Sequence, residues 1–150
     1  MLREKFSTAI KDAMRAKDKR RLCTIRLIMA AIKDRDISVR TESDSKVGDS
    51  EIIEILSKMV KQRHESCKAY QDAGRDELAK QESDEIKIIT EFLPRQLDDA
   101  EVVAAVKHAI EATGASGLKD IGKIMAQLKG DYSGQMDFSK ASALTKDLLS

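Results

Sequence analysis

Among 150 residues there is a single proline, Pro94, so almost nowhere along the chain is helical backbone forbidden by a missing N–H or a ring clash. The aromatics are equally sparse: Phe6, Phe92, Phe138, Tyr70, Tyr132 and no tryptophan. A chain poor in aromatics and proline and rich in Ala, Lys, Glu, Leu and Ile reads as all-α. Hydrophobic residues make up 41% of it, enough for a core, so composition does not place it among disordered chains. The same scarcity argues against a stacking platform for single-stranded nucleic acid and against a deep aromatic-lined cofactor pocket.

Apolar periodicity locates the helices. Phe6, Ala9, Ile10, Ala13 and Met14 form a helical stripe within a first helix from about Leu2 to Ala16. Asp18 is placed to cap the second, in which Leu22, Ile25, Met29 and Ile32 recur with Ile28 beside them. Residues 40–50 lack periodicity and read as an exposed loop. A long third helix, opened by Asp49 or Ser50, carries Ile52, Leu56, Met59, Val60, Cys67 and Tyr70, and Gly74 is placed to stop it in the left-handed conformation. A fourth, from about Asp76 to Phe92, is expected to bury Leu78, Ile86, Ile89 and Leu93.

Pro94 disfavours helical geometry at Leu93 and marks the expected domain boundary. Beyond it, Asp98 and Glu101 have capping-box spacing, flanked by Leu97 and Val102 at the staple positions. That helix ends near Gly114. Ser116 could cap a short helix with Ile121, Ile124, Met125 and Leu128, ending by Gly130, and Asp137 could cap a last one with Phe138, Ala141, Leu144 and Leu148. The expectation is an all-α chain, with an N-terminal bundle of about four helices (1–94) followed by a small three-helix tail (95–150).

The formal charge of +1 conceals a gradient. Residues 1–40 hold 12 basic and 5 acidic side chains, residues 41–94 hold 8 and 13, and residues 95–150 hold 7 and 8. A uniformly basic nucleic-acid binder is excluded, while a local polyanion contact is permitted. Cys23 and Cys67, without a CxxC, are expected to be small buried hydrophobes rather than a disulfide or metal pair. With no apolar leader in Met1–Phe6 and no run of membrane-spanning length, the expected location is the cytoplasm, with no membrane partner.

Catalytic signatures are missing: no phosphate-cradling loop, no GxGxxG, no HExxH and no GxSxG. His64 and Cys67, three apart, could face together as base and nucleophile, but no orienting group or oxyanion donor accompanies them. His108 reads as a surface residue. Acidic pairs such as Asp34/Asp36 and Asp84/Glu85 lack the histidines a transition-metal site would use. No catalytic residue, metal site or cofactor is therefore expected.

Two basic groups are candidates for RNA contact. The run Arg15, Lys17, Lys19, Arg20 and Arg21 straddles the first helix junction, where side chains could converge on phosphates or simply solvate a bend beside Asp12 and Asp18. In the tail, Lys119, Lys123 and Lys129 surround Gly122, a residue that permits close approach of a ligand backbone or of a packed helix.

The segments Arg21–Arg26, Ala30–Lys33, Lys61–Ser66 and Ala69–Arg75, and most specifically Glu91-Phe92-Leu93-Pro94-Arg95-Gln96-Leu97, resemble the YqeY family, small bacterial proteins of the GatB/YqeY group. Gly114–Ser116 and Gly122–Met125 resemble that family's tail. The resemblance implies a helical bundle joined to a tail similar to the C-terminal domain of the GatB component of aspartyl/glutamyl-tRNA amidotransferase, which helps hold tRNA. It also implies tRNA or another structured RNA, and amidotransferase subunits, as partners. The family label carries carbon–nitrogen ligase activity with glutamine as amide donor, but this sequence has no counterpart of the kinase and transfer domains. The leading expectation is a non-catalytic module associated with tRNA or tRNA-dependent amidation. An accessory subunit or enzyme of amidation and a protein–protein adaptor are the alternatives.

Overall fold

A computed structural model of the protein describes residues 1–39 and 46–150. Residues 40–45, most of the expected 40–50 loop, lie outside the described set. The described residues are all-α, with no strand among them: α1 (Leu2–Arg15), α2 (Lys19–Ser38), α3 (Asp49–Asp72), α4 (Asp76–Thr90), α5 (Asp99–Thr113), α6 (Ile121–Asp131) and α7 (Phe138–Leu149), with a 3₁₀ turn at Leu118–Asp120 before α6. The chain divides into two compact units, Met1–Leu93 and Pro94–Ser150.

In the first unit, Phe6, Ile25, Ile28, Ile52, Leu56 and Ile89 are fully buried in one core. The Phe6 and Phe92 rings meet at 4.8 Å between centroids, tilted by 54°. The α1–α2 junction is a Schellman turn with the Asp18 N–H on the Ala13 carbonyl and the Lys17 N–H on the Met14 carbonyl. Its left-handed residue is Lys17 (φ +56), an unusual occupant that costs backbone strain glycine would avoid. The Asp18 carboxylate then accepts the Arg21 N–H and caps α2. α3 and α4 form a hairpin turned at Gly74 (φ +71), with the Arg75 N–H on the Tyr70 carbonyl. Arg63 pairs with Glu85 at 3.2 Å across that hairpin, both side chains largely buried.

Tertiary contacts, not periodicity, decide which members of each stripe are covered. Met14, Met29, Leu78 and Leu148, all expected in cores, are exposed; Thr24, Ala79 and Leu149 are covered in their neighbourhoods instead. Cys23 is exposed, contrary to its expected burial, because it lies off the Thr24/Ile25/Ile28/Ile32 face of α2. The expected opener of α3 also changes role. Gly48 occupies the N-cap position, and the Asp49 carboxylate accepts the Leu2 N–H at 3.3 Å, tying the start of α1 to the start of α3.

The second unit packs Val106, Ala109, Ile124, Leu128 and Ala141 into a small core. The capping box forms as expected, with Asp98 accepting from the Glu101 N–H and Glu101 reaching back to the Asp98 N–H. Gly114 (φ +65) ends α5. Ser116 does not cap a helix; its N–H donates to Asp120, the residue preceding α6, and the intervening chain makes the 3₁₀ turn. α6 runs past Gly130 to Asp131.

Candidate nucleic-acid interface

An α-helix rotates by about 100° per residue. In α6 this places Gly122, Lys123, Ala126, Lys129 and Gly130 on one side, and all five are exposed, as is Lys119 in the 3₁₀ turn just before it. Ile124 and Leu128 point the other way, into the core. Lys123 and Lys129 therefore share one solvent-facing strip along α6 whose other members are glycine or alanine, and Lys119 is exposed in the 3₁₀ turn that precedes it. A Cβ at Gly122 or Gly130 would meet nothing within 4 Å, so neither glycine serves close helix packing. Gly122 therefore stands open to solvent.

Asp120 stands beneath the strip. Its carboxylate accepts the Ser116 N–H at 3.2 Å and stands 4.0 Å from Lys123 Nζ, offsetting part of that charge. Lys119 and Lys129 have no ion-pair partner among the described residues. With lysines rather than arginines, the strip presents compact, mobile ammonium groups suited to phosphate rather than bidentate base contacts.

The basic run at the α1–α2 junction is divided by the fold. Arg21 donates to Glu91 at 2.6 Å, with its guanidinium 5.9 Å from the Phe92 ring centroid. Arg20 reaches Asp84 at 3.9 Å, so both arginines tie α2 to the α4 region. Arg15 faces Asp12 at 3.7 Å within α1. Lys17 and Lys19 remain exposed without an ion pair among the described residues. What sequence reads as one cluster of five cations is thus three arginines that already face carboxylates and two free lysines.

The His64/Cys67 pair is not assembled for catalysis: the Cys67 thiol donates to the Ala79 carbonyl at 3.4 Å, towards α4, while His64 is exposed. Three of the four paired acids are used structurally, Asp36 by Arg3, Asp84 by Arg20 and Glu85 by Arg63. Among the described residues no three His, Cys, Asp or Glu side chains converge as metal ligands. Nor is any described helix long and apolar enough to cross a membrane.

Sequence reasoning missed a clamp in the first unit. Arg3 grips Asp36 through both Nη atoms, at 2.7 and 3.0 Å, and donates to the Val47 carbonyl at 3.0 Å. Asp36 in turn accepts the Val47 N–H at 2.9 Å. The Arg3 hydrogen bonds hold the Asp36 carboxyl below its ordinary value against an opposing effect of burial. No local signal could reveal it, since its members lie 33 and 44 residues from Arg3.

The model of the YqeY family, described as Yqey-like protein, matches residues 3–149. The chain belongs to the YqeY family. It is similar to three proteins described as "Altered inheritance of mitochondria protein 41, mitochondrial". That of Clavispora lusitaniae is 31% identical over 83% of this chain and 72% of the relative. That of Eremothecium gossypii is 31% identical over 93% and 76%, and that of Vanderwaltozyma polyspora 30% identical over 75% and 62%. These YqeY relatives are yeast proteins, so the bacterial origin suggested by the resemblance has no support from them. Their mitochondrial names also overturn the cytoplasmic location expected from the missing apolar leader. A missing apolar leader bears on secretion alone, whereas mitochondrial transit segments are amphipathic and Arg-rich.

Proposed function

We propose that this YqeY-family chain is a non-catalytic helical module that binds the phosphate backbone of tRNA or another structured RNA. In this reading the contact is made by its 95–150 tail, a domain separate from the 1–94 bundle. The observation that carries the reading is the exposed side of α6, where Lys123 and Lys129 stand with Gly122, Ala126 and Gly130, and the exposed Lys119 in the 3₁₀ turn before it. Small side chains between cations let a phosphate backbone come close, and loss of condensed counterions supplies the affinity. Lys17 and Lys19 add a smaller electrostatic contribution from the bundle. The Cys67 thiol donates to the Ala79 carbonyl, which supports a structural role for it. The relatives' names support a mitochondrial setting, checked by fractionation of the tagged full-length protein.

The test is tRNA binding by the full chain across a salt series. Changing Lys119, Lys123 and Lys129 together to Glu is expected to weaken binding at least tenfold and to flatten the log–log salt slope by roughly 2–3. Unchanged binding by the triple variant, with folding verified by circular dichroism, would remove the reading. A role in amidation would add a change in glutamine- and ATP-dependent amidation of mischarged tRNA when the protein joins the amidotransferase subunits.

One observation favours a protein adaptor as the second reading. Leu118, 54% exposed, and Ile121 line a cleft of about 290 Å³ with Lys146, Asp147 and Ser150 of the α7 end. An adaptor would yield a partner that survives nuclease treatment and is lost on Leu118→Asp; purely nuclease-sensitive partners would dismiss it.

A further inference from the structure

Beside the Arg3–Asp36 clamp, α1 and α2 enclose a half-open groove of about 530 Å³, within the range of small-ligand sites. Its floor is apolar: Phe6 from α1 and Met29, Ala30 and Ile32 from α2. Phe6 and Ile32 belong to the core, but Met29 is 39% exposed and Ala30 is exposed, so this part of α2 presents apolar surface to solvent. The rim is charged and unbalanced. Among the described residues, Arg3, Lys33 and Lys46 line it with one carboxylate, Asp36. Arg3 already takes both Asp36 oxygens in hydrogen bonds, Lys46 adds a weaker coulombic pull on the same carboxylate, and neither Lys33 nor Lys46 has an ion pair among the described residues.

We propose that this groove binds a small amphipathic monocarboxylate, its apolar tail over Met29, Ala30 and Ile32 and its carboxylate between Lys33 and Lys46. Charge complementarity selects the anion: a neutral ligand of the same shape would forgo both lysines, and a cation would be repelled. The volume of about 530 Å³ suits a single small molecule. The clamp keeps the site formed in advance, since Asp36 and Arg3 hold Val47, the neighbour of Lys46, by both its backbone groups. Arg3 orients the wall through Asp36 and Val47 rather than serving as the anion's main partner.

The probe is decanoate below its micelle concentration, added to the full chain and followed by methyl and amide NMR. Saturable shifts are expected at Met29, Ile32 and Lys33, with octanoate binding more weakly by about two- to fourfold per methylene removed. Decanol should bind roughly tenfold more weakly than decanoate, and Lys33→Gln with Lys46→Gln should erase that preference. Ala30→Trp fills the groove and should abolish the shifts; the lysine pair keeps the test decisive if the tryptophan variant does not fold. Absence of saturable shifts at these residues, equal binding of decanol, or a response only to anionic vesicles overturns the proposal. So does movement of the same signals with protein concentration alone, which would assign the groove to a second copy of the chain. Lys119, Lys123 and Lys129 lie on the other unit, so their reversal to Glu leaves decanoate binding intact whatever it does to RNA.

Discussion

In the Met1–Leu93 unit four arginines reach from helix to helix, whereas in the Pro94–Ser150 unit the lysines of α6 stay in solvent. The residue types divide accordingly: the first unit holds nine arginines and eleven lysines, the second one arginine and six lysines. Arg3, Arg20, Arg21 and Arg63 each find a carboxylate on another helix or at its end. The planar guanidinium fork suits such fixed pairs, and Arg3 uses it in full on Asp36. Lysine, a hydrated point charge on a flexible stem, gains little from a fixed surface pair and remains available to a polyanion. A basic sequence cluster is therefore weak evidence for a binding surface until its cations are known to be uncommitted.

The largest test of this contrast is in the cores. Leu56→Ala in the first unit and Leu128→Ala in the second should each cost about 2–5 kcal/mol, since both side chains are fully buried. Hydrogen exchange should show protection lost mainly in the unit that carries the change; equal loss in both would merge the two units into one cooperative block.

Next comes the clamp. Arg3→Ala should cost about 1–3 kcal/mol at neutral pH, because it strands a largely covered carboxylate. The pH dependence has a definite sign. The folded Asp36 carboxyl lies below its ordinary 3.8, so its contribution is present above that value and is lost as the pH falls through the depressed one. Urea unfolding across this acid range should show a shallower loss for Arg3→Ala than for the parent chain. An identical acid slope in both would deny the clamp its electrostatic role.

A smaller effect, of opposite sign, is expected at Lys17. Glycine relieves the left-handed strain at φ +56 while loosening the unfolded chain, so Lys17→Gly should stabilise by about 0.5–1 kcal/mol. A lower melting temperature would mean that the lysine side chain contributes more than its backbone costs. Smallest in stability is the exposed pair Arg95–Glu101, with contacts of 2.6 and 3.0 Å. The Arg95 hydrogen bonds hold Glu101 down from 4.5 to about 2. Carboxyl NMR should find that low midpoint, and Arg95→Gln should return it towards the ordinary range while barely changing the melting temperature.

Helix ends were the most legible part of the fold. Asp18, Gly74, Asp98 with Glu101, Gly114 and Asp137 all act where their residue types point, because a cap is satisfied by backbone within a few residues. Ser116 misled because Asp120, four residues on, takes its N–H and turns the chain into a 3₁₀ step first. In the candidate site the phase of Lys123 and Lys129 follows from helical spacing, but the 3₁₀ turn that holds Lys119 and the openness around Gly122 depend on what packs nearby. The Arg15–Arg21 run was the least legible, since the carboxylates that occupy Arg20 and Arg21 lie 64 and 70 residues away.

By itself, then, the sequence determined an all-α chain of the YqeY family, with its helix caps and its uneven charge. These depend on local backbone chemistry and on composition. Only the tertiary structure decided that Met29 faces solvent, that Arg3 and Asp36 clamp Val47, and that Lys119 and Lys129 have no ion pair among the described residues where the junction arginines do. Whether a side chain is spent or available depends on partners distant in sequence, and those are set only when the helices pack.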